Sequence, residues 1–416
     1  MPHQTAPSSR RRRRAIIIGG SMSGLFAAAF LRKIGWDVDV YERSPVELVG
    51  RGAGITTHPE LLEALEASGA GTRDLGVTVE RRITIDRDGD IIGERHLPQI
   101  LTSWDRLQRL LRETIDPAHY HLGHTFAHVE PNGRGVRVHF AEGGVQDADL
   151  LIGGDGLRSG VRAQVAPEVQ PIYSGYFSWR GTANEADLAP ETHASIFPNF
   201  TFFLPQGHQI IGYAIAGFGN DLRPGHRRYN FIWHRVGDAD RVREMCVDEH
   251  GRQHDFSVPT PLVRKSLVAE MRAEAEAMMP DVFVDCLNKI PQPFFTPIND
   301  FSSPSLAYGR VALVGDAAST SRPHMGFGVS KAGGDAQALA DALREHGDDI
   351  DAALEQYNAI RQPIGERIML HGRKLGTHFG IDLKTEADRR MHALLQSHEE
   401  MMEGVGTPNF LEHSTP

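Results

Sequence analysis

Cysteine is nearly absent: Cys246 and Cys286 are the only two in 416 residues, and neither belongs to a C-x-x-C pair. That excludes a disulfide framework, argues against structural zinc and any other metal site, and fits a reducing cytoplasm. Long hydrophobic runs are missing as well. No uninterrupted apolar stretch approaches the roughly 18 residues that a spanning helix needs, so no membrane partner is expected. Positive charge is in deficit, with 44 Lys+Arg against 54 Asp+Glu and a net charge of −10. An acidic chain repels phosphate backbones, so no nucleic-acid partner is expected either. The run Arg10 to Arg14 follows a polar leader, MPHQTAPSS, expected to be disordered. An export signal needs a hydrophobic helix next, but Ala15-Ile16-Ile17-Ile18 gives way at once to two glycines. The arginines therefore read as a solvated lead-in to a strand.

What remains is the balance of a globular protein, 40% hydrophobic and 24% charged, with length for two or three domains. Glycine is plentiful at 43 residues, and its clusters mark the chemistry. The first is Gly19-Gly20-Ser21-Met22-Ser23-Gly24, between a short β-branched strand (15–18) and a helical pattern (22–34) that Gly35 ends. Glycines there let the backbone turn tightly and approach a pyrophosphate at the positive end of the helix. The usual G-x-G-x-x-G has glycine where this chain has Ser21. Glu42 closes the next strand, Val38 to Glu42, where an acid can accept hydrogen bonds from ribose hydroxyls. Loop, strand and acid together predict dinucleotide binding. The second cluster, Gly154-Asp155-Gly156, follows an apolar strand. The third runs from the strand Val311 to Val314 through Gly315-Asp316 to Pro323 and Gly326-Phe327-Gly328. An aspartate at the C-terminal end of a parallel strand lies where α/β sheets bind ligands.

Between these clusters the texture changes. Residues 76–100 alternate apolar and charged around Asp88-Gly89-Asp90 and read as an antiparallel hairpin. A helix is expected over 104–115, then a hairpin of Val136 to Phe140 with Ala148 to Ile152. Residues 171–291 are aromatic and strand-like, with helical stretches near 237–250 and 263–279. A long helix is expected over 329–345, and the last 60 residues read as helical before a tail after Glu403. There is no internal repeat. The expected fold class is α/β: a Rossmann-like dinucleotide-binding domain from 14–75, 101–170 and 292–350, an inserted antiparallel β-sheet substrate domain from 76–100 and 171–291, and a C-terminal helical segment and tail over 351–416.

The three glycine clusters, in this order and spacing, together with Val40-Tyr41-Glu42-Arg43-Ser44-Pro45, Tyr173-Ser174-Gly175-Tyr176, Trp179-Arg180-Gly181, Gly207-His208 and Arg322-Pro323-His324, resemble the flavoprotein aromatic hydroxylases, single-component FAD monooxygenases of the p-hydroxybenzoate hydroxylase fold. The resemblance covers residues 14 to 370. It implies FAD as cofactor, NADH or NADPH as a transient co-substrate, and dioxygen and a small aromatic molecule as the other reactants. It further implies hydroxylation of an electron-rich hydroxypyridine or phenol through a hydroperoxide at the flavin C4a carbon. By the same resemblance Glu42 binds the adenosine ribose with Arg43 beside it. Asp155 and Gly156 serve both FAD and NAD(P)H, Asp316 holds the ribitol, and the backbone of Gly326, Phe327, Gly328 and Val329 faces the flavin ring. Gly54, in the Gly52/Gly54 loop, joins this cofactor set. The chain departs from the family at Trp104, where many members have arginine, at Ser319 for a common histidine, and at Tyr213-Ala214 for Tyr-Pro. The terminal helices are the expected homodimer contact.

Ring hydroxylation needs the substrate hydroxyl deprotonated, and histidine starts nearest the working pH. Of 21 histidines, His324, beside Pro323 in the loop expected to border the flavin, and His58, before Pro59, are the candidates. Phe202, Phe203, Tyr213 and Trp233 are candidates to line a flat ring pocket with Pro323, against a bland reading as sheet core. Competing readings are an oxidase or epoxidase of the same fold and a non-catalytic flavin-binding protein. A flavin halogenase would carry W-x-W-x-I-P, and the four tryptophans here are isolated.

Overall fold

The computed structural model describes residues 12–48, 53–381 and 383–407. The polar leader, Gly52 and most of the tail lie outside the described residues.

Two large sheets face one another across the molecule. The first has six strands, in the order Ala307–Tyr308, Val311–Leu313, Leu150–Gly153, Arg14–Ile18, Asp37–Glu42 and Tyr120–Leu122. All pairings are parallel except that of Ala307–Tyr308, and Ile17 lies in register with Ile152 on one side and Val40 on the other. Ala15 to Ile18 are buried on both faces, which is why the strand is a continuous β-branched run with no alternation. The helices Met22–Lys33 and Gly328–His346 pack together against this sheet.

The chain leaves this sheet to build a small three-stranded one from Phe126–Asn132, Gly135–Phe140 and Val145–Ala148. The sequence suggested that Val136 to Phe140 pairs with Ala148 to Ile152. Its partner is instead Val145–Ala148, with Val138 opposite Gln146. At Asp149, whose carboxylate accepts the Arg14 N–H at 2.8 Å, the chain changes sheets. The unbroken apolar run Leu150 to Ile152 then enters the parallel sheet, where both faces are covered.

The second sheet has nine strands, in the order Ser319–Thr320, Phe294–Ser302, Ile172–Asn184, Arg228–Val236, His208–Ile215, Asn199–Phe203, Val77–Ile85, Ile91–Ser103 and Gly54–Thr56. All its pairings are antiparallel except that of Asn199–Phe203 with Val77–Ile85. It reaches beyond the segments expected of it, because Phe295 pairs with Trp179 and Gly54 with Ser103. Alternation divides its residues between two faces. Phe177, Trp179, Phe231 and Trp233 face the helices Lys265–Met278 and Asp281–Asn288 in one core, the second of which starts after Pro280 and was not expected. Their neighbours Ser178, Arg180, Ile232 and His234 face the first sheet across a cavity.

A buried ion cluster ties the cofactor-side helices together. Asp335, 1% exposed, accepts hydrogen bonds from the Lys331 ammonium at 2.9 Å, the Arg361 guanidinium at 2.8 Å and the Gly315 N–H at 2.9 Å. Burial pushes its carboxyl up, and Lys331 and Arg361 more than offset that, leaving the pKa below the ordinary value. Asp335→Asn leaves two buried cations short of an anion. It is expected to cost about 3–5 kcal/mol in urea denaturation at neutral pH. Because the folded-state pKa is lowered, the wild-type contribution is full above the ordinary carboxylate pKa and fades as the pH falls below it, so the difference between the two proteins narrows in acid.

Candidate active site

The cavity between the sheets measures about 710 Å³. One end is built by loops that leave the C-terminal edge of the parallel sheet. Gly19 has φ +107°, and a Cβ on it would lie 2.4 Å from the Gly154 carbonyl oxygen. A Cβ on Gly24 would fall 1.8 Å from the Gly19 oxygen, and one on Gly20 would strike the Tyr120 hydroxyl at 2.3 Å. Gly20 and Gly24 therefore shape the loop from behind, while Gly19, Ser21, Met22 and Ser23 line the cavity. Ser21 has φ −97°, extended backbone that any residue adopts, so the usual glycine is not needed there.

Glu42 is buried, and its two carboxylate oxygens accept the N–H groups of Gly20 (2.9 Å) and Ser44 (2.8 Å). It borders the cavity beside Arg43. Asp155 accepts from the Ser159 hydroxyl at 2.5 Å and the Gly160 N–H at 2.7 Å, and burial raises its pKa. It shares the cavity wall with Gly156. Asp316 is enclosed by protein yet turned to the open space of the cavity, and its carboxylate makes no hydrogen bond among the described residues. Burial raises its pKa, and the nearby Lys331 lowers it in part. Across the cavity, Gly54, Gly326, Phe327, Gly328 and Val329 form the wall, with the first turn of the helix Gly328–His346 presenting free N–H groups. Two helix N-termini, close-approach glycines and three carboxylates fit the pyrophosphate and polyhydroxyl chain of FAD.

The other end is floored by the antiparallel sheet: Ser178, Arg180, Phe200, Ile211, Tyr213, Ile232, His234 and Thr296. Arg180 lowers into this space with no carboxylate partner among the described residues. Its Nε makes no hydrogen bond, and burial pulls its pKa down. Burial pushes the Tyr213 hydroxyl up to about 12. The loop Arg322, Pro323 and His324 and the C-terminal residues Val405 and Gly406 close the ring of walls.

The candidates from sequence divide. Pro323, Tyr213 and His324 border the cavity. Both nitrogens of His324 are engaged: Nε2 accepts from the Tyr176 hydroxyl at 2.7 Å, and Nδ1 meets Gln209 Oε1 at 3.2 Å. Burial holds its pKa well below the ordinary value, so it stands as a neutral, hydrogen-bonded ring. His58 lies behind the wall, with its ring 5.3 Å from that of Phe327 and its pKa lowered to about 4 by burial. Phe202, Phe203 and Trp233 do not border the cavity. Phe202 stacks on Phe200 at 5.0 Å, while Phe203 and Trp233 belong to the core on the opposite face. Sequence reasoning passed over Arg180, His234 and the C-terminal pair. Arg180 and His234 share a sheet face with Tyr213, and period-two alternation across paired strands was the signal that could have found them. Burial lowers the His234 pKa to about 3.

Among the described residues no group of His, Cys, Asp or Glu could hold a metal ion, and no helix is long and apolar enough to cross a membrane. A family profile described as FAD binding domain-like matches residues 173–300. The 2,6-dihydroxypyridine 3-monooxygenase of Paenarthrobacter nicotinovorans is 32% identical over 87% of this chain and 90% of its own. The solved 2,6-dihydroxypyridine-3-hydroxylase of Arthrobacter nicotinovorans superposes with a TM-score of 0.83 at 30% identity, covering 89% of this chain and 93% of that one. Klebsiella pneumoniae HpxO, solved with FAD and uric acid, gives a TM-score of 0.75 at 25% identity and covers 94% of each chain.

Glu42→Gln keeps the side-chain length but puts an amide donor where a backbone N–H or a ribose hydroxyl must be met. FAD affinity, read from quenching of free flavin fluorescence, is expected to fall by about tenfold or more.

Proposed function

Because this chain belongs to the FAD-dependent aromatic hydroxylases, we propose that its substrate is an electron-rich, hydroxylated six-membered ring of the hydroxypyridine or phenol type. The enzyme is an FAD monooxygenase working with NAD(P)H and dioxygen. The chemistry supplied by FAD, when bound, is transfer of two electrons from NAD(P)H to dioxygen and delivery of one oxygen atom to the ring.

The placement of the chain's residues supports the following roles. Glu42 takes ribose hydroxyls, with Arg43 alongside. Gly19, Ser21, Met22 and Ser23 offer their backbone and the helix N-terminus to the pyrophosphate, over the close packing of Gly20 and Gly24. Asp316 accepts from the ribitol hydroxyls, its carboxylate having no hydrogen-bond partner among the described residues. Asp155 and Gly156 stand where the nicotinamide dinucleotide passes. Gly54, Gly326, Phe327, Gly328 and Val329 hold the flavin ring edge.

The ring substrate occupies the sheet-floored half. What carries this reading is Arg180: a guanidinium without a carboxylate partner among the described residues, on the cavity wall with Phe200, Ile211 and Ile232. A ring hydroxyl placed against it loses its proton more readily, because a nearby positive charge favours the ionised form. That raises the electron density of the ring, which is what hydroxylation requires. Tyr213 lies within the same pocket to orient the ring, and Pro323 and the apolar walls exclude water. His324, neutral and engaged on both nitrogens, holds the Pro323 loop against the sheet. His58 supports Phe327 from behind. The scarcity of cysteine supports a cytoplasmic location, and the terminal helices are the proposed self-association surface.

The FAD-loaded enzyme is expected to oxidise NADH or NADPH slowly alone and much faster with 2,6-dihydroxypyridine present. Full-speed oxidation without any aromatic compound would sink the hydroxylase reading in favour of an oxidase. Arg180→Met is expected to raise the KM for the ring by about 10- to 100-fold, the worth of a hydrogen bond to a charged group.

A further inference from the structure

The described chain ends with the helix His398–Gly404 and the residues Val405, Gly406 and Thr407. Met401, Met402 and Val405 are buried in the same apolar cluster as Phe200, Ile211 and Tyr213. Val405 and Gly406 face the cavity.

This segment is held by Arg82, which comes from the strand Val77–Ile85 and is 1% exposed. Its guanidinium donates to the carbonyls of Met402, at 2.5 Å, and of Val405, and to Gln99 Oε1 at 2.8 Å. Its carbon centre sits 4.7 Å from the middle of the Phe200 ring. No carboxylate pairs with it among the described residues. Its counter-charge is the negative end of the helix, whose last carbonyls have no intrahelical partner. Gln99 adds a hydrogen bond to the Gly406 oxygen at 2.9 Å, and the Gly406 N–H donates to the His324 oxygen at 2.8 Å. Arg95 and Glu403 pair at 3.0 Å in a half-exposed position and add little.

Each of these buried contacts to residues 402–406 ends on a backbone atom. Arg82 and Gln99 fix where the segment lies and place no demand on the Val405 side chain, which is then free to set the shape of the wall it forms. Arg82 also stacks under Phe200, so one cation registers a sheet wall and a C-terminal wall of the same pocket. We propose that Val405 is a specificity-determining residue that limits the size of the ring accepted, and that Arg82 is the positioning residue that docks the C-terminal segment to make this wall. The inference rests on the ring-hydroxylase reading above.

The test is titration of the FAD-loaded full chain with a single ring, 2,6-dihydroxypyridine, and a fused two-ring compound, uric acid, following the visible flavin spectrum. Val405→Ala is expected to shift the ratio of the two dissociation constants toward uric acid by about tenfold, and Val405→Leu to shift it the other way. Arg82→Met is expected to weaken both rings and to raise the share of NAD(P)H oxidation that ends as hydrogen peroxide, with Arg82→Lys recovering part of each. If Arg82→Met does not fold, the Val405 pair decides alone. FAD-binding Val405 variants that keep the wild-type ratio overturn the inference while leaving the hydroxylase reading intact. A wild type whose spectrum responds to neither ring overturns both.

Discussion

Three chain segments meet at one edge of the parallel sheet with no room for a single Cβ between them, and the rest of the site depends on that approach. The Gly19 loop touches Gly154, Gly24 closes back on Gly19, and a Cβ on Gly315 would lie 1.9 Å from the Ser23 hydroxyl. Segments separated by more than a hundred residues thus present their backbones to one space. Their helix N-termini converge there because the strands that feed them are parallel and adjacent. Gly315 is held in place by its N–H to Asp335, so the charge cluster beneath the helices also sets the position of Asp316 at the cavity wall.

The two ends of the cavity differ in charge. Glu42, Asp155 and Asp316, interleaved with Arg43, Arg158 and Lys331, stand at the end built by the parallel sheet, whereas among the described residues the antiparallel floor contributes Arg180 and no acid. Burial keeps His58, His234 and His324 neutral at ordinary pH. With those histidines neutral, the fixed charge that the antiparallel floor offers to a ligand is that of Arg180. Arg322 does not compete for that role, since Asp300 takes its Nε at 2.8 Å and also pairs with Arg373.

Much of this was legible in the residue order. A β-branched run closed by glycines, an acid at the end of the next strand and an Asp after a third buried strand are local signals, and they located the loops that border the cavity. The inserted sheet was legible from its aromatic alternation. Alternation, however, separates Phe231 and Trp233 from Ile232 and His234 without saying which set meets a ligand. Facing helices decide that, and one of them, Asp281–Asn288, escaped notice. Phe202 and Phe203 suffered the same ambiguity. The hairpin at 136–152 misled because the Asp149 junction between two sheets is only one residue long. The wall at Val405 was out of reach, since its anchor Arg82 lies 320 positions from Met402.

The two outermost strands of the nine-stranded sheet are Gly54–Thr56 and Ser319–Thr320. Both flank loops that border the cavity, and Gly54 and Thr320 border it themselves. Two segments of the cavity wall are thus also the selvedges of the sheet. Wherever they come loose, the rows of unpaired N–H and C=O groups beneath are left bare, a template on which a second chain can add its own strand. By this geometry, whatever fills the cavity and braces those loops also guards the two edges of the sheet.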